Sequence, residues 1–525
     1  MLWVHFKSIL SPFFLNPERG IMTRTGSEYH RKTSYDRQQM AGHFLNWENQ
    51  PNLYKLYTGI QPIPLTPVSC FPDESIWNLV SPAANKTSAG TLDKNRLSQI
   101  LYLAGGVTAR RRQGGKDFYF RSVASAGALY PTEIYVGLHS GIDLEPGLYH
   151  FSVDHFALTP LRLGDFSRYS DEMIDASSTE RQPFASFFLT GIFFRSAWKY
   201  RARAFRYVLL DTGHLLENLT LALAAGELNF SCHYDFNDKN MARLIGLDTQ
   251  REVGLVCVNV YGRPVSATQE TVVAEIPTVN PLPAEIIRSS QVAQREVVYG
   301  DMVRIYQAGA TNSTQPQSGK INNVGVTASE WNPVGKTNPA DEEHAYAPSV
   351  LFRRSRRNYI NRPLSENKFR HLLNLLCRAG RPDEACHAFA GLTIGFLSGS
   401  IDGFDPGFYL LDPDKEQTGK VIDGHLIHPM ASICLDQKWL ANAAVHFLFM
   451  ANLEAIDHQM GARGYRYAML NAGRLGQLIY LGATALGLGC CGIGALYDGE
   501  ARKLLGLNID SALLYLVAAG PVKHI

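Results

Sequence analysis

At 525 residues the chain is too long for one ordinary core, so two domains of about 200 to 250 residues are expected. Its 50 Lys and Arg against 48 Asp and Glu leave a net charge of +2, which argues against a charge-driven nucleic-acid or acidic-membrane partner and leaves small-molecule or peptide chemistry. The eight cysteines (Cys70, Cys232, Cys257, Cys377, Cys386, Cys434, Cys490 and Cys491) show neither CxxC spacing nor a disulfide framework, and they are read as reduced thiols of a cytoplasmic protein.

In chain order, residues 1–40 read as an N-terminal extension. Its start, MLWVHFKSILSPFFLNPERGIM, is interrupted by Lys7 and Pro12 and has no small-residue cleavage site, which argues against a secretory signal. Met1 and Met22 both stay open as the start. A first domain is expected over residues 41–264, a connector over 265–348 and a second domain over 349–525. Each domain orders a helix, short alternating strands, a long helix, a glycine turn, a small helix and a last strand, an α+β arrangement. The opening helices follow Asp93 and Ser365 as N-caps. Alternation marks Glu133 to Leu138 as a strand, and VGLVCVNVYG from Val253 and ALLYLVAAG from Ala512 are the closing strands. The connector is rich in polar residues around GATNSTQPQSGKINN from Gly309, while Ala284 onward has helical spacing and is expected to pack on the body.

The halves repeat. PGLYHF at Pro146 matches PGFYLL at Pro406, and FRYVLLDTGHLLENL at Phe205 matches YRYAMLNAGRLGQLI at Tyr465, each 260 positions apart. So long a period means duplicated domains. It also bears on Leu475 to Leu496, the one segment apolar enough to suggest a membrane span. The first-copy counterpart carries Glu217 and Glu227, so the segment is read as a buried helix running into a glycine loop.

Two stretches carry candidate chemistry. RRSRRNY places Arg353, Arg354, Ser355, Arg356 and Arg357 ahead of the second copy's helix, where guanidinium forks and a hydroxyl suit a phosphate; a solvated basic surface is the bland alternative. The equivalent stretch of the first copy, Ser81 to Asn85, has no arginine. RSVASAGALYPTE, with Ser125, Ala126 and Gly127, is a turn of small residues that lets backbone approach a flat ring, and its second-copy counterpart, Ala385 to Gly391, is degenerate. His214 and its counterpart Arg474 are read as polar-network residues, and no HExxH, Walker loop or metal-ligand spacing appears.

RRSRR before a helix and GLGCCGIGALYD after the long helix resemble the nitroreductase superfamily, whose homodimers bind FMN between subunits. LSQILYLAGGVTARR, RSVASAGALYPTEIY, GLYHF and WKYRARAFRYVLLDTGH, with the leader from His30, resemble its SagB-type dehydrogenases of thiazole and oxazole peptide pathways. The resemblance implies two fused nitroreductase-like domains forming an intramolecular pseudo-dimer with one complete FMN site. Arg353, Ser355, Arg357 and Lys523 would hold the phosphate. Ser125, Ala126 and Gly127 would cross over from the first copy, and Gly492, Ile493 and Gly494 would lie beside the ring. The counterpart of the last group, Phe230 to Phe236, has no glycine.

Lys199 and Tyr200 match the lysine–tyrosine pair of azoline-oxidising members, although they also fit a plain amphipathic start to the long helix. The implied activity is oxidation of an azoline-like or peptide-borne substrate by hydride transfer to flavin N5, with peptide-modifying enzymes as possible partners. Two alternatives stay open: an NAD(P)H-dependent nitro, quinone or ene reductase, and a flavin-binding or flavin-less scaffold of a peptide-modifying complex. Ala124 stands where the family's turn commonly has proline.

Overall fold

The computed structural model describes residues 25–40, 42–80, 90–139, 143–174, 183–261, 279–310, 323–337, 345–379 and 391–523. Each half is built on a seven-stranded antiparallel sheet. In the first the spatial order is Ile63–Pro64, Ala157–Leu163, Gly147–Ser152, Thr132–Leu138, Ala185–Ile192, Glu252–Tyr261 and Asn229–His233. The second repeats it with Trp331–Pro333, Gln417–Asp423, Gly407–Asp412, Thr393–Ser398, Val445–Asn452, Ser511–Gly520 and Gly489–Ile493. The edge strand Trp331–Pro333 comes from the expected connector, which also forms the short helices Ala284–Arg288 and Gly300–Ala308. Most of GATNSTQPQSGKINN, the stretch 81–85 and the turn at 385–390 lie outside the described residues.

The inner strands do not show an outward polar face. Phe187 and Leu189 enter the large core that the two copies share, while Phe188 between them enters an outer core of the first copy. Phe447 and Leu448 divide in the same way in the second copy. With both faces covered, every residue of Ala185–Ile192 and Val445–Asn452 is buried, and a run of apolar residues replaces strict alternation. Even Glu133, in the strand Thr132–Leu138, is buried against Arg195 and His150.

The long helices Ala204–Ala225 and Arg463–Ala485 cross at the centre of the molecule. A Cβ on Gly213 would lie 2.1 Å from the Leu470 carbonyl oxygen, and one on Gly473 would lie 2.2 Å from that of Leu210. These contacts exchange under the 260-residue offset, so the crossing is a self-complementary pseudo-twofold interface inside one chain. The same symmetry relates two buried acid–arginine clusters. Asp498 accepts from Arg203 and Arg206 of the first copy, both at 2.7 Å, and Asp238 accepts from Arg463 and Arg466 of the second. The molecule is thus two fused α+β domains forming an intramolecular pseudo-dimer.

Two local readings change. The apolar segment ends in the strand Gly489–Ile493, paired with Ser511–Gly520, where a glycine loop was expected. Lys199 and Tyr200 end a separate helix, Phe193–Tyr200, because Arg201 takes a positive φ of 52° and breaks it from the long helix. Among the described residues no helix is long and apolar enough to cross a membrane.

Candidate active site

The small-residue turn is held in an unusual backbone. Gly127 has φ 68°, and Ala128 and Tyr130 also take positive values, 55° and 44°, which L residues adopt only when their surroundings over-determine them. The determinants are visible. Ser125 Oγ donates to Asp211 Oδ2 at 2.6 Å, and the Ala126 amide donates to Asp211 Oδ1 at 3.1 Å. Tyr130 N–H donates back to Ser125 Oγ at 2.8 Å, and the buried Arg195 donates to the Tyr130 carbonyl at 2.9 Å. Burial pushes the Asp211 carboxyl up to about 7, against the bonds from Ser125 and Ala126 that favour its charge.

Lys199 and Tyr200 lie over this turn. A Cβ on Gly127 would be 3.0 Å from Tyr200 Oη and 3.2 Å from Lys199 Nζ, so a side chain there would displace both. The ring of Tyr200 packs on that of Tyr207, with centroids 4.3 Å apart, and burial drives its phenol well above the usual tyrosine range. The Lys199 ammonium is held below the usual lysine value, first by burial and then by the positive charge of Arg357. Arg357 belongs to the second copy, so the two halves meet electrostatically at this lysine.

The second copy's basic run divides its labour. Arg353 is buried and donates through Nε to the Ser122 carbonyl at 2.9 Å, and through Nη2 to the Arg121 and Val123 carbonyls, each at 3.1 Å. This differs from its expected place on a phosphate, because the backbone leading into the first copy's turn occupies these donors. Ser355, Arg356 and Arg357 remain exposed. Ser355 is anchored by a parallel bridge to Cys490 and by a 2.9 Å hydrogen bond between its hydroxyl and Tyr480 Oη. The exposed Lys523 is brought beside the run by two bonds with Asn358, at 3.1 and 2.8 Å.

Gly492 and Ile493 lie on the edge strand paired to the closing strand, and Gly494 follows directly after it. A Cβ on Gly492 would fall 1.8 Å from Tyr515 Oη, and its amide donates to Tyr480 Oη at 2.7 Å. Gly494 offers its carbonyl to Arg203 of the first copy at 3.0 Å. Behind them His214 bonds Gln477 at 2.7 Å and Tyr515 at 2.9 Å, and burial lowers it to about 4. Its counterpart Arg474 pairs with Glu217 at 2.9 Å, so both positions serve polar networks at the helix crossing.

The structure thus brings Ser125, Ala126, Gly127, Lys199 and Tyr200 together with Arg357. It sets Ser355 and Lys523 along the same basic run, and Tyr480 ties Ser355 to Gly492. The sequence reading passed over Asp211, Tyr207, Tyr480 and Tyr515. The signal for Asp211 was a carboxylate in a largely apolar helix, which also carries Arg206, His214 and Glu217. Among the described residues no group of His, Cys, Asp and Glu could hold a metal ion.

A seven-stranded antiparallel sheet is repeated about the crossing of the two long helices, and the first copy's small-residue turn there meets the second copy's basic run. The nitroreductase family model matches residues 88–263 and 411–521, and the chain belongs to that family, whose members are flavin-dependent oxidoreductases. A protein named as a nitroreductase in Methanocaldococcus jannaschii is 31% identical over 183 residues, covering 34% of this chain and 91% of the relative. The crystal structure of a protein named as a nitroreductase from Anabaena variabilis overlays with a TM-score of 0.73 at 24% identity, covering 95% of this chain and 100% of the other. The overlay extends over both halves and supports the fold.

Proposed function

We propose that the chain is an FMN-dependent dehydrogenase of the SagB type that oxidises an azoline-like or peptide-borne substrate at one site shared by its two copies. The observation that carries this reading is the meeting of Lys199 and Tyr200, over the Gly127 turn of one copy, with Arg357 of the other. The donors suit a flavin mononucleotide. Ser355, Arg357 and Lys523 offer a hydroxyl and exposed cations for its phosphate, with Arg353 shaping the opposing turn. Ser125 to Gly127 and Gly492 to Gly494 present backbone without bulky side chains to a flat ring.

Bound FMN supplies a two-electron acceptor. The protein's part is to take the ring proton and to orient the ring. Burial and Arg357 both favour neutral Lys199, whose Nζ would accept a proton from one ring carbon, leaving that C–H pair to form the new ring double bond, while the adjacent carbon gives up its hydrogen with the bonding pair as hydride to the bound acceptor. Tyr200, kept as a neutral phenol, orients the substrate by donating a hydrogen bond.

The relative named as a nitroreductase favours a second reading, reduction of nitro, quinone or ene compounds with NAD(P)H. Anaerobic addition of a thiazoline peptide or of NADPH to the holoprotein separates the two. Bleaching of the flavin band by the thiazoline, with a thiazole formed in equal amount, is expected. Bleaching by NADPH alone would overturn the dehydrogenase reading.

A further inference from the structure

Asp211 occupies a position that neither the phosphate run nor the lysine–tyrosine pair explains. It is 6% exposed, and among the described residues no ion pair reaches it. Its bonds go to the turn alone: Ser125 Oγ and the Ala126 amide. The second copy has Asn471 at the equivalent position, so the carboxyl stands only behind the turn that belongs to the candidate site.

The hydrogen-bond inventory of Ser125 is closed. A hydroxyl has one proton and two lone pairs. With Asp211 ionised, the proton is committed to Oδ2 at 2.6 Å and one lone pair takes the Tyr130 amide at 2.8 Å, leaving a single lone pair to face a ligand. With Asp211 protonated, its own O–H donates to Ser125 Oγ. Both lone pairs are then filled, and the serine proton is released toward the ligand. The Ala126 amide keeps a carboxyl oxygen in either state, so the turn itself stays in place.

We propose that Asp211 is a positioning residue that decides whether Ser125 meets a bound flavin as donor or as acceptor, coupling flavin binding to proton uptake. The assignment rests on the flavin reading of this site. A flat, uncharged ring bound against the turn would remove the remaining water from the carboxyl and favour its neutral form, so that form would bind the flavin more tightly. The groups facing Asp211 from other elements do not compete for the proton near neutrality. Tyr200, from the end of its short helix, and Tyr515, from the closing strand, are both pushed above the usual phenol range by burial. On its own helix, Tyr207 lies one turn before it, and His214 is lowered to about 4. Lys199 and Arg357 are the cations of the same site and are common to every variant compared. Burial holds the Asp211 carboxyl near 7, which places the change in the physiological range.

The test is titration of flavin-free protein with FMN, followed by flavin fluorescence, between pH 6 and 8. In wild type the dissociation constant should rise by about threefold or more beyond any rise in Asp211→Asn. That variant's Oδ1 still accepts from Ala126 while its Nδ2 donates to Ser125, so it holds the neutral arrangement and the tighter affinity across the range. The FMN phosphate, whose second ionisation falls near pH 6, contributes to both proteins and cancels in the comparison. Calorimetry of the wild type at pH 8, where the FMN phosphate is already ionised, in two buffers of different ionisation enthalpy gives a readout independent of the variant's folding, with proton uptake on FMN binding as the expected result. Parallel pH profiles, or no uptake by the wild type, would overturn the assignment while leaving the flavin site intact. Absence of FMN binding at every pH would overturn the flavin reading and this assignment with it.

Discussion

Lys199 is under two pressures of the same sign. Burial and the Arg357 guanidinium both destabilise its ammonium, so neutral Nζ is available at lower pH than for a free lysine. If Nζ takes the substrate proton, kcat/KM rises with pH as the lysine loses its charge, through a value below the ordinary lysine range of about 10.4. Lys199→Met should cost about 100-fold or more in turnover and abolish that limb while FMN content stays unchanged, as flavin absorbance per chain would show. Retention of the limb in the variant would remove the lysine from the chemistry. The sequence exposed Lys199 and Tyr200 only through resemblance, because their residue types alone fit any amphipathic helix. Asp211 was hidden for a different reason. Its partner Ser125 lies 86 residues away, and a carboxylate in LLDTGHLLEN does not reveal that it faces a turn.

The long-helix crossing depends on two missing side chains. Gly213→Ala would drive a methyl group into the Leu470 carbonyl, which is fixed in the facing helix and cannot yield without separating the copies. A loss of about 3 kcal/mol in urea unfolding is expected, the upper end for overpacking. Gly499→Ala, in the helix Asp498–Leu504 and with nothing within 4 Å of the new methyl, should be neutral or slightly stabilising and serves as the control. Equal losses in both would show that the crossing is not close-packed. At this scale the duplication made most elements readable, since each half supplied a second reading of the other. Elements defined by partners escaped. Gly489–Ile493 contains two glycines and carries little strand propensity, and it is a strand because Ser511–Gly520 pairs with it. The break after Tyr200 carries no glycine or proline, because it is set by the positive φ of Arg201.

Across the whole molecule, fusion has allowed the halves to diverge while their interface stayed symmetric. The clusters around Asp498 and Asp238 remain matched, each a carboxylate held by two arginines of the opposite copy, and the glycine crossing is shared equally. Around the dyad the candidate sites are no longer alike. Gly494 has Tyr234 as its counterpart, Asp211 has Asn471, and the lysine–tyrosine pair has Gln459 and Met460. Tyr234 accepts from Arg474 at 3.2 Å and packs edge-on against Tyr467, filling space on the side where the first site has only backbone. These differences leave one candidate flavin site, built from both copies. Titration of the flavin-free chain with FMN, by fluorescence quenching, tests it most directly in wild type, Arg357→Ala and Gly127→Leu. One equivalent per chain, with affinity lost in both variants, is the predicted result; two equivalents, or full affinity in either variant, would contradict a single site shared between the copies.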